Sequence, residues 1–426
     1  MEKKAYKIHI VGGGISGLIA AKTLEQQGYH PTIIEATDRA GGRVKTDIVE
    51  GYQLDHGFQV LLDAYPEAKK HLDYNKLALQ SFLPGAHIYN KGKAQSIGDP
   101  LRNLGLLFPT LSASVGNVSD KLKILKLNAR LKKTTVKAIF KKEETSTFFY
   151  LQKLGFSDKI ISQFFKPFFT GIFLEPELKT SSRLFEFVYK MFGEGLAVLP
   201  KDGIGAIAKQ LQNQLKHTNI IFNTAVSTVH DDHLMLEDSR RLDTHFTVIT
   251  KGAAKLIPNL SNQSMSWKSC YNLYFETERK TITKPLIGLV ADEEALINNI
   301  FFHNSLATTS KGNKQLLSVT VVKSHHLNIS ELETNIAKEL KKYCSIEVIR
   351  HIKTYHIKDA LPAISKLQYD ISPTETQLKP TIFLAGDEQL FGSLNAAMIA
   401  GERAAQGIMM TLENGAIPDE ITSEYI

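Results

Sequence analysis

Cysteine is nearly absent: Cys270 and Cys344 are the only two in 426 residues, and they form no CxxC pair. That excludes a cysteine-ligated iron–sulfur cluster or a zinc ribbon and leaves both as expected core residues. None of the fourteen histidines belongs to an HExxH pair, and the neighbours His325 and His326 would point apart in a strand, so no metal site is expected. No apolar run is long enough to span a bilayer, and Met1 to Lys7 lacks a signal-peptide apolar region, so a cytoplasmic protein is expected. Repeats and low-complexity tracts are also missing. The formal charge of +7, from 51 basic and 44 acidic side chains, is a small excess without any aromatic-basic repeat, which points away from nucleic acid. With 43% hydrophobic residues the chain can bury a large core, and its length suits two or three domains.

Bare backbone, by contrast, is concentrated at the start. Lys7–Val11 is a short, mostly apolar run that ends at Gly12, and from Ile15 to Gln27 apolar residues recur at helical spacing. This reads as strand, tight turn and helix. Gly12 permits the bend, Gly14 lets backbone approach a pyrophosphate, and Gly17 lets the helix lie close to the strand. The helix N-terminus, with Ser16 in its first turn, offers N–H groups to an anion. A second strand, His30–Ile34, ends at Glu35, roughly 20 residues on, where a carboxylate can meet a ribose diol. Arg39-Ala40-Gly41-Gly42-Arg43 follows, and a site for a nicotinamide dinucleotide alone has no use for this second glycine pair and arginine.

This opening resembles the FAD-binding start of the flavin amine oxidase superfamily, which contains amine oxidases, protoporphyrinogen oxidases and carotenoid desaturases. The resemblance implies FAD as cofactor, with Glu35 on the adenosine ribose and Gly42 and Arg43 near the pyrophosphate. Gly51–Val60 is similar to the superfamily's D-x-G segment, which implies that Gly57 lies at the cofactor and makes Phe58 and Gln59 candidates to touch flavin or substrate. Gly195–Ile204 looks like the P-x-G-G return, with Asp202 in place of a glycine, and Val226 matches the position whose backbone meets adenine. Thr381–Asp387 looks like the closing motif, which implies Gly386 and Asp387 at the ribityl hydroxyls. The helix that starts at Leu394 would then aim its N-terminus at the flavin pyrimidine edge, where it stabilises the negative charge of the reduced ring.

Between residues 76 and 195 the composition turns to Leu, Phe and Lys with helical spacing, as in a cap, and it includes the phenylalanine-rich stretch Phe164–Leu174. Lys121–Lys142 reads as a basic amphipathic helix or helix pair, either a solvated face over a core or a peripheral membrane contact. The implied fold is α/β. A Rossmann-type FAD-binding domain would be assembled from residues 1–75, 196–262 and 346–426, beside an α+β substrate domain of 76–195 and 263–345 with an antiparallel sheet and a helical cap.

Ser393-Leu394-Asn395-Ala396-Ala397 stands where amine oxidases carry a cage aromatic, and it looks more like the S-M-E-G-A of carotenoid desaturases, with Asn395 for the acid and Ala396 for the glycine. Tyr355–Ala363 resembles the aromatic-to-A-x-P segment of desaturases and protoporphyrinogen oxidases, which adds Tyr355 to the pocket candidates. The resemblance therefore implies a dehydrogenase or desaturase that moves a hydride from a C–H of a small apolar substrate, isoprenoid or porphyrinogen-like. A flavin amine oxidase and a flavin-binding partner protein without turnover are the alternatives. No catalytic acid or base stands out.

Overall fold

The β-branched run Ile8–Val11 becomes an inner strand of a six-stranded sheet in the computed structural model, which describes residues 2–99, 103, 113–260 and 265–414. From one edge the order is Asn219–Ile221, Thr32–Ile34, Ile8–Val11, Phe246–Ile249, Ile382–Leu384 and Gln377–Lys379. The first five strands run parallel and the last antiparallel. Ile8, Ile10, Ile33 and Val248 are buried, as parallel strands covered on both faces require. Three distant stretches of the chain thus share one sheet.

The N-terminal helix, Ile15–Gln26, lies directly against the last helix, Leu394–Asn414. A Cβ on Gly401 would fall 2.3 Å from the carbonyl oxygen of Ser16, so the two backbones touch there. Ala396, Ala400 and Ala404 on the same helix are fully buried, consistent with an approach only small residues allow.

A second sheet has seven strands in the order Val348–Pro362, Trp267–Thr277, Gln315–Val321, Ile297–Phe302, Ile287–Val290, Gly85–Asn90 and Lys93–Gly98. All neighbouring pairs are antiparallel except Ile287–Val290 with Gly85–Asn90. Two expectations change here. The strand Val348–Pro362 pairs along Trp267–Thr277, from Trp267↔Pro362 to Thr277↔Val348, so the boundary placed at residue 346 moves beyond Pro362. Residues 85–98 are not helical cap but a hairpin, turned at Lys91 and Gly92, both at positive φ as a two-residue hairpin loop requires.

The cap over this sheet is helical. Its basic stretch forms the helix pair Val118–Lys133 and Val136–Phe140. Asn117 starts the first of these: its side chain accepts from the Asp120 N–H, while the Asp120 carboxylate accepts from the Asn117 N–H. Asp120 also accepts from the N–H and hydroxyl of Ser157, which ties this helix to the next turn of the cap.

Candidate functional site

In the glycine turn, Gly12 sits at φ 105°, and a Cβ there would lie 2.2 Å from the Thr250 hydroxyl oxygen. Gly14 is the N-cap of the first helix and gives no side-chain cap, so the first-turn N–H groups of Ile15, Ser16 and Gly17 face outward as an anion site requires. Glu35, at the end of the second strand, is buried and fixed by backbone: it accepts from Gly13 N at 2.7 Å, Thr37 N at 2.9 Å and the Thr37 hydroxyl at 2.6 Å. The Thr224 N–H donates to the Glu35 carbonyl at 3.0 Å, which brings the strand that starts at Val226 alongside the acid. Gly41 N–H donates to the Gly13 carbonyl at 2.8 Å, and Gly42 lies against Gly14, so the two glycine motifs form one cradle.

The far end of the chain closes that cradle. Arg43 pairs with the buried Asp387, donates to the Ala360 carbonyl at 3.1 Å, and lies over the Trp267 ring at 5.3 Å. Lys251 sits on the same indole at 4.4 Å and pairs with Asp359 at 2.9 Å. The Glu388 carboxyl folds back over Gly386, where a Cβ would lie 1.9 Å from its oxygen. Buried Glu388 Oε2 has no hydrogen-bond partner among the described residues. An unsatisfied carboxyl oxygen there wants a donor, and a ribityl chain is a row of hydroxyls. The residues present therefore fit FAD: an open helix N-terminus for pyrophosphate, a fixed acid for the ribose, and Asp387 and Glu388 for hydroxyl groups.

Glu388 yields a pH test. Burial and the adjacent Asp387 carboxylate push its carboxyl up to about 7, against the opposing pull of Arg43 and Lys251. A raised acid holds its proton more tightly when folded, so its favourable contribution is complete below the ordinary value of 4.5 and is lost as pH rises through about 7. In thermal melts of flavin-free protein, Glu388→Gln is expected to raise Tm at about pH 8 and to change little at about pH 5. An equal shift at both pH values would refute the assignment.

Beside the cradle is a cavity of 1220 Å³, above the roughly 300–1,000 Å³ usual for ligand pockets. Phe58, Gln59, Gly392 and Leu394 line it together with Phe164, Phe168 and Phe173 of the cap. Gln59 is held by two bonds, from its amide to the carbonyls of Arg43 at 2.8 Å and His56 at 2.9 Å. Gly57 turns this segment at φ 96°. Tyr355 does not line the cavity: its hydroxyl donates to Asp47 at 2.7 Å, and its ring lies 4.5 Å from that of His56. Hydrogen bonds from Arg39, Tyr355 and His56 outweigh partial burial and hold the Asp47 carboxyl down to about 2. The aromatic nearest the last helix, Phe391, also lines the cavity and packs against Phe140, Phe187 and Tyr369.

Lys268 was not legible in the sequence. It lines the cavity, donates to the Phe173 carbonyl at 2.9 Å and the Thr180 hydroxyl at 3.2 Å, and makes no ion pair among the described residues. Burial lowers its pKa, opposed by nearby Glu175. Only its pairing with Leu361 across the sheet puts it in this wall, and nothing local signals that. Asp55, the buried acid of the D-x-G segment, accepts from Thr46 at 2.5 Å and Ile204 N at 3.0 Å, and burial raises it to about 6. It fastens the return turn to the cradle. Among the described residues one trio, Glu67, His71 and Glu402, has ligand-like spacing, but the Lys70 ammonium already pairs with Glu402.

The family model described as flavin containing amine oxidoreductase matches residues 15–409. An L-amino-acid oxidase of Trimeresurus stejnegeri is 31% identical over 156 residues, which cover 34% of this chain and 30% of that protein. The chain thus matches less than a third of that relative's length. A putative protoporphyrinogen oxidase structure from Exiguobacterium sp. 255-15 superposes with a TM-score of 0.70 at 17% identity, over 95% of this chain and 99% of that one. Wild-type putrescine oxidase bound to putrescine superposes with a TM-score of 0.66 at 14% identity, over 95% and 99%. Both likenesses are of fold.

Proposed function

The chain belongs to the family of flavin-containing amine oxidoreductases, and from that premise we propose that it is an FAD-dependent oxidoreductase that oxidises a C–H bond of an apolar substrate. The observation that carries the substrate class is the cavity, large and walled by phenylalanines, with Leu394 of the last helix where an amine site would need polar or caging groups. FAD, when bound, supplies the two-electron acceptor. The protein's part is to exclude water and fix orientation: Phe58, Phe164 and Phe168 hold the apolar body, and the pinned Gln59 keeps the wall rigid where cradle and cavity meet. Lys268, whose pKa burial lowers, is half-buried in the cavity wall, and its neutral amine form would accept the proton lost from the carbon next to the oxidised one.

A second reading, amine oxidation, is favoured by the family and by the L-amino-acid oxidase relative. Acidic Glu175 and Glu177 in the cavity lining are the groups that would attract an ammonium. A flavin-binding protein without turnover is disfavoured by the same cavity, since a space of 1220 Å³ reaching the cap phenylalanines is not a collapsed site. The test is anaerobic addition of polyprenoid, porphyrinogen and amine compounds in turn while the flavin absorption is followed. Bleaching by an apolar compound alone is expected. Bleaching by amines alone would reverse the assignment.

A further inference from the structure

We propose that the helix Val118–Lys133 at the cavity rim is a docking surface for an anionic lipid bilayer. Nine Lys or Arg and no Asp or Glu occur between Lys121 and Lys142. On the helix, Leu127 and Leu131 face the core, while Lys121, Ile124, Leu125 and Asn128 line the cavity. The opposite, outward line is not polar, as a solvated face would be. Val118, Leu122, Leu125 and Ala129 recur at steps of four, three and four and are exposed, the first three by 73%, 62% and 43%.

Lysines flank this stripe on both sides, Lys126 and Lys133 on one and Lys132 on the other. These three are exposed and make no ion pair among the described residues, whereas Arg130 and Lys142 are committed to the buried Glu186. An apolar stripe bordered by uncommitted lysines matches an acyl layer bordered by anionic headgroups. Leu125 belongs to both the stripe and the cavity wall, so the surface that would meet lipid continues into the apolar chamber. A water-soluble protein partner would match the charge but gives no reason for this continuity. The inference stands on the helix alone and survives if the reading of the reaction fails.

The test is flotation of the full-length flavoprotein with vesicles of phosphatidylcholine, alone or mixed with phosphatidylglycerol, at low and high salt. Binding only to the mixed vesicles, weakened by salt, is expected. Leu122→Asp, which leaves the cavity wall untouched, and the double change Lys126→Glu with Lys133→Glu should each weaken binding by about tenfold or more. Unchanged flavin spectra and melting curves confirm that each variant is folded. No binding to mixed vesicles, or equal binding by both variants, overturns the proposal. So does a dimer by light scattering that Leu122→Asp dissociates without any vesicle binding, since the stripe would then cover a second copy.

Discussion

Arg43→Ala is expected to cost about 3–5 kcal/mol of stability and to release the flavin, because it leaves the buried Asp387 carboxylate without its counter-charge. The same change removes the bond to the Ala360 carbonyl and the cation over Trp267, so two sheets lose a shared anchor. At about 2–4 °C per kcal/mol, the melting temperature should fall by about 6–20 °C. Arg43→Lys keeps the charge but not the planar fork and should fall between wild type and alanine. Pairing Arg43→Ala with Asp387→Asn removes the stranded charge and should recover part of the loss in melting temperature, though not the flavin. If Arg43→Ala melts with wild type, the pair does not hold the two ends of the chain together.

Gly17→Val should be as damaging for a different reason. A Cβ at Gly17 would lie 2.1 Å from the carbonyl oxygen of Gly12, a backbone atom that cannot turn away. To relieve the contact the helix must lift off the strand, and its N–H groups then miss the pyrophosphate. We expect a colourless protein that is less stable by about 4 kcal/mol or more, measured by visible absorption and urea unfolding. Gly193→Ala is the control: in the helix Ser182–Glu194 an added Cβ meets nothing within 4 Å, so alanine should be neutral or slightly stabilising. Retention of full flavin content by Gly17→Val would overturn the account of the turn.

Sequence showed most clearly what is local. Gly12, Gly14 and Gly17 declare a phosphate turn because bend, approach and packing are decided within a few residues, and Glu35 follows at the end of the next strand. What it hid is long-range. Residues 348–362 read as part of the FAD-binding domain, and only their register along Trp267–Thr277 shows that they join the second sheet. Lys268 enters the cavity through that same register, and Tyr355 is drawn off to Asp47 by it. Glu388 looks like any surface acid after a strand until the fold folds its carboxyl over Gly386.

The six-stranded sheet also sets a timetable. Ile8 pairs with Phe246, and Thr247 pairs in turn with Ile382. A ribosome releases the chain from its N-terminus, so the phosphate turn emerges while two of its neighbouring strands are still untranslated. Arg43 waits for Asp387, 344 residues on, and the first helix waits longer still for Gly401. The newborn chain therefore carries an open strand edge and an uncovered surface on the first helix until residues 382–401 have emerged, and it can capture flavin only after that point. Supply of the cofactor once those late residues have emerged, more than during the earlier part of translation, should then govern how much of the protein survives to fold.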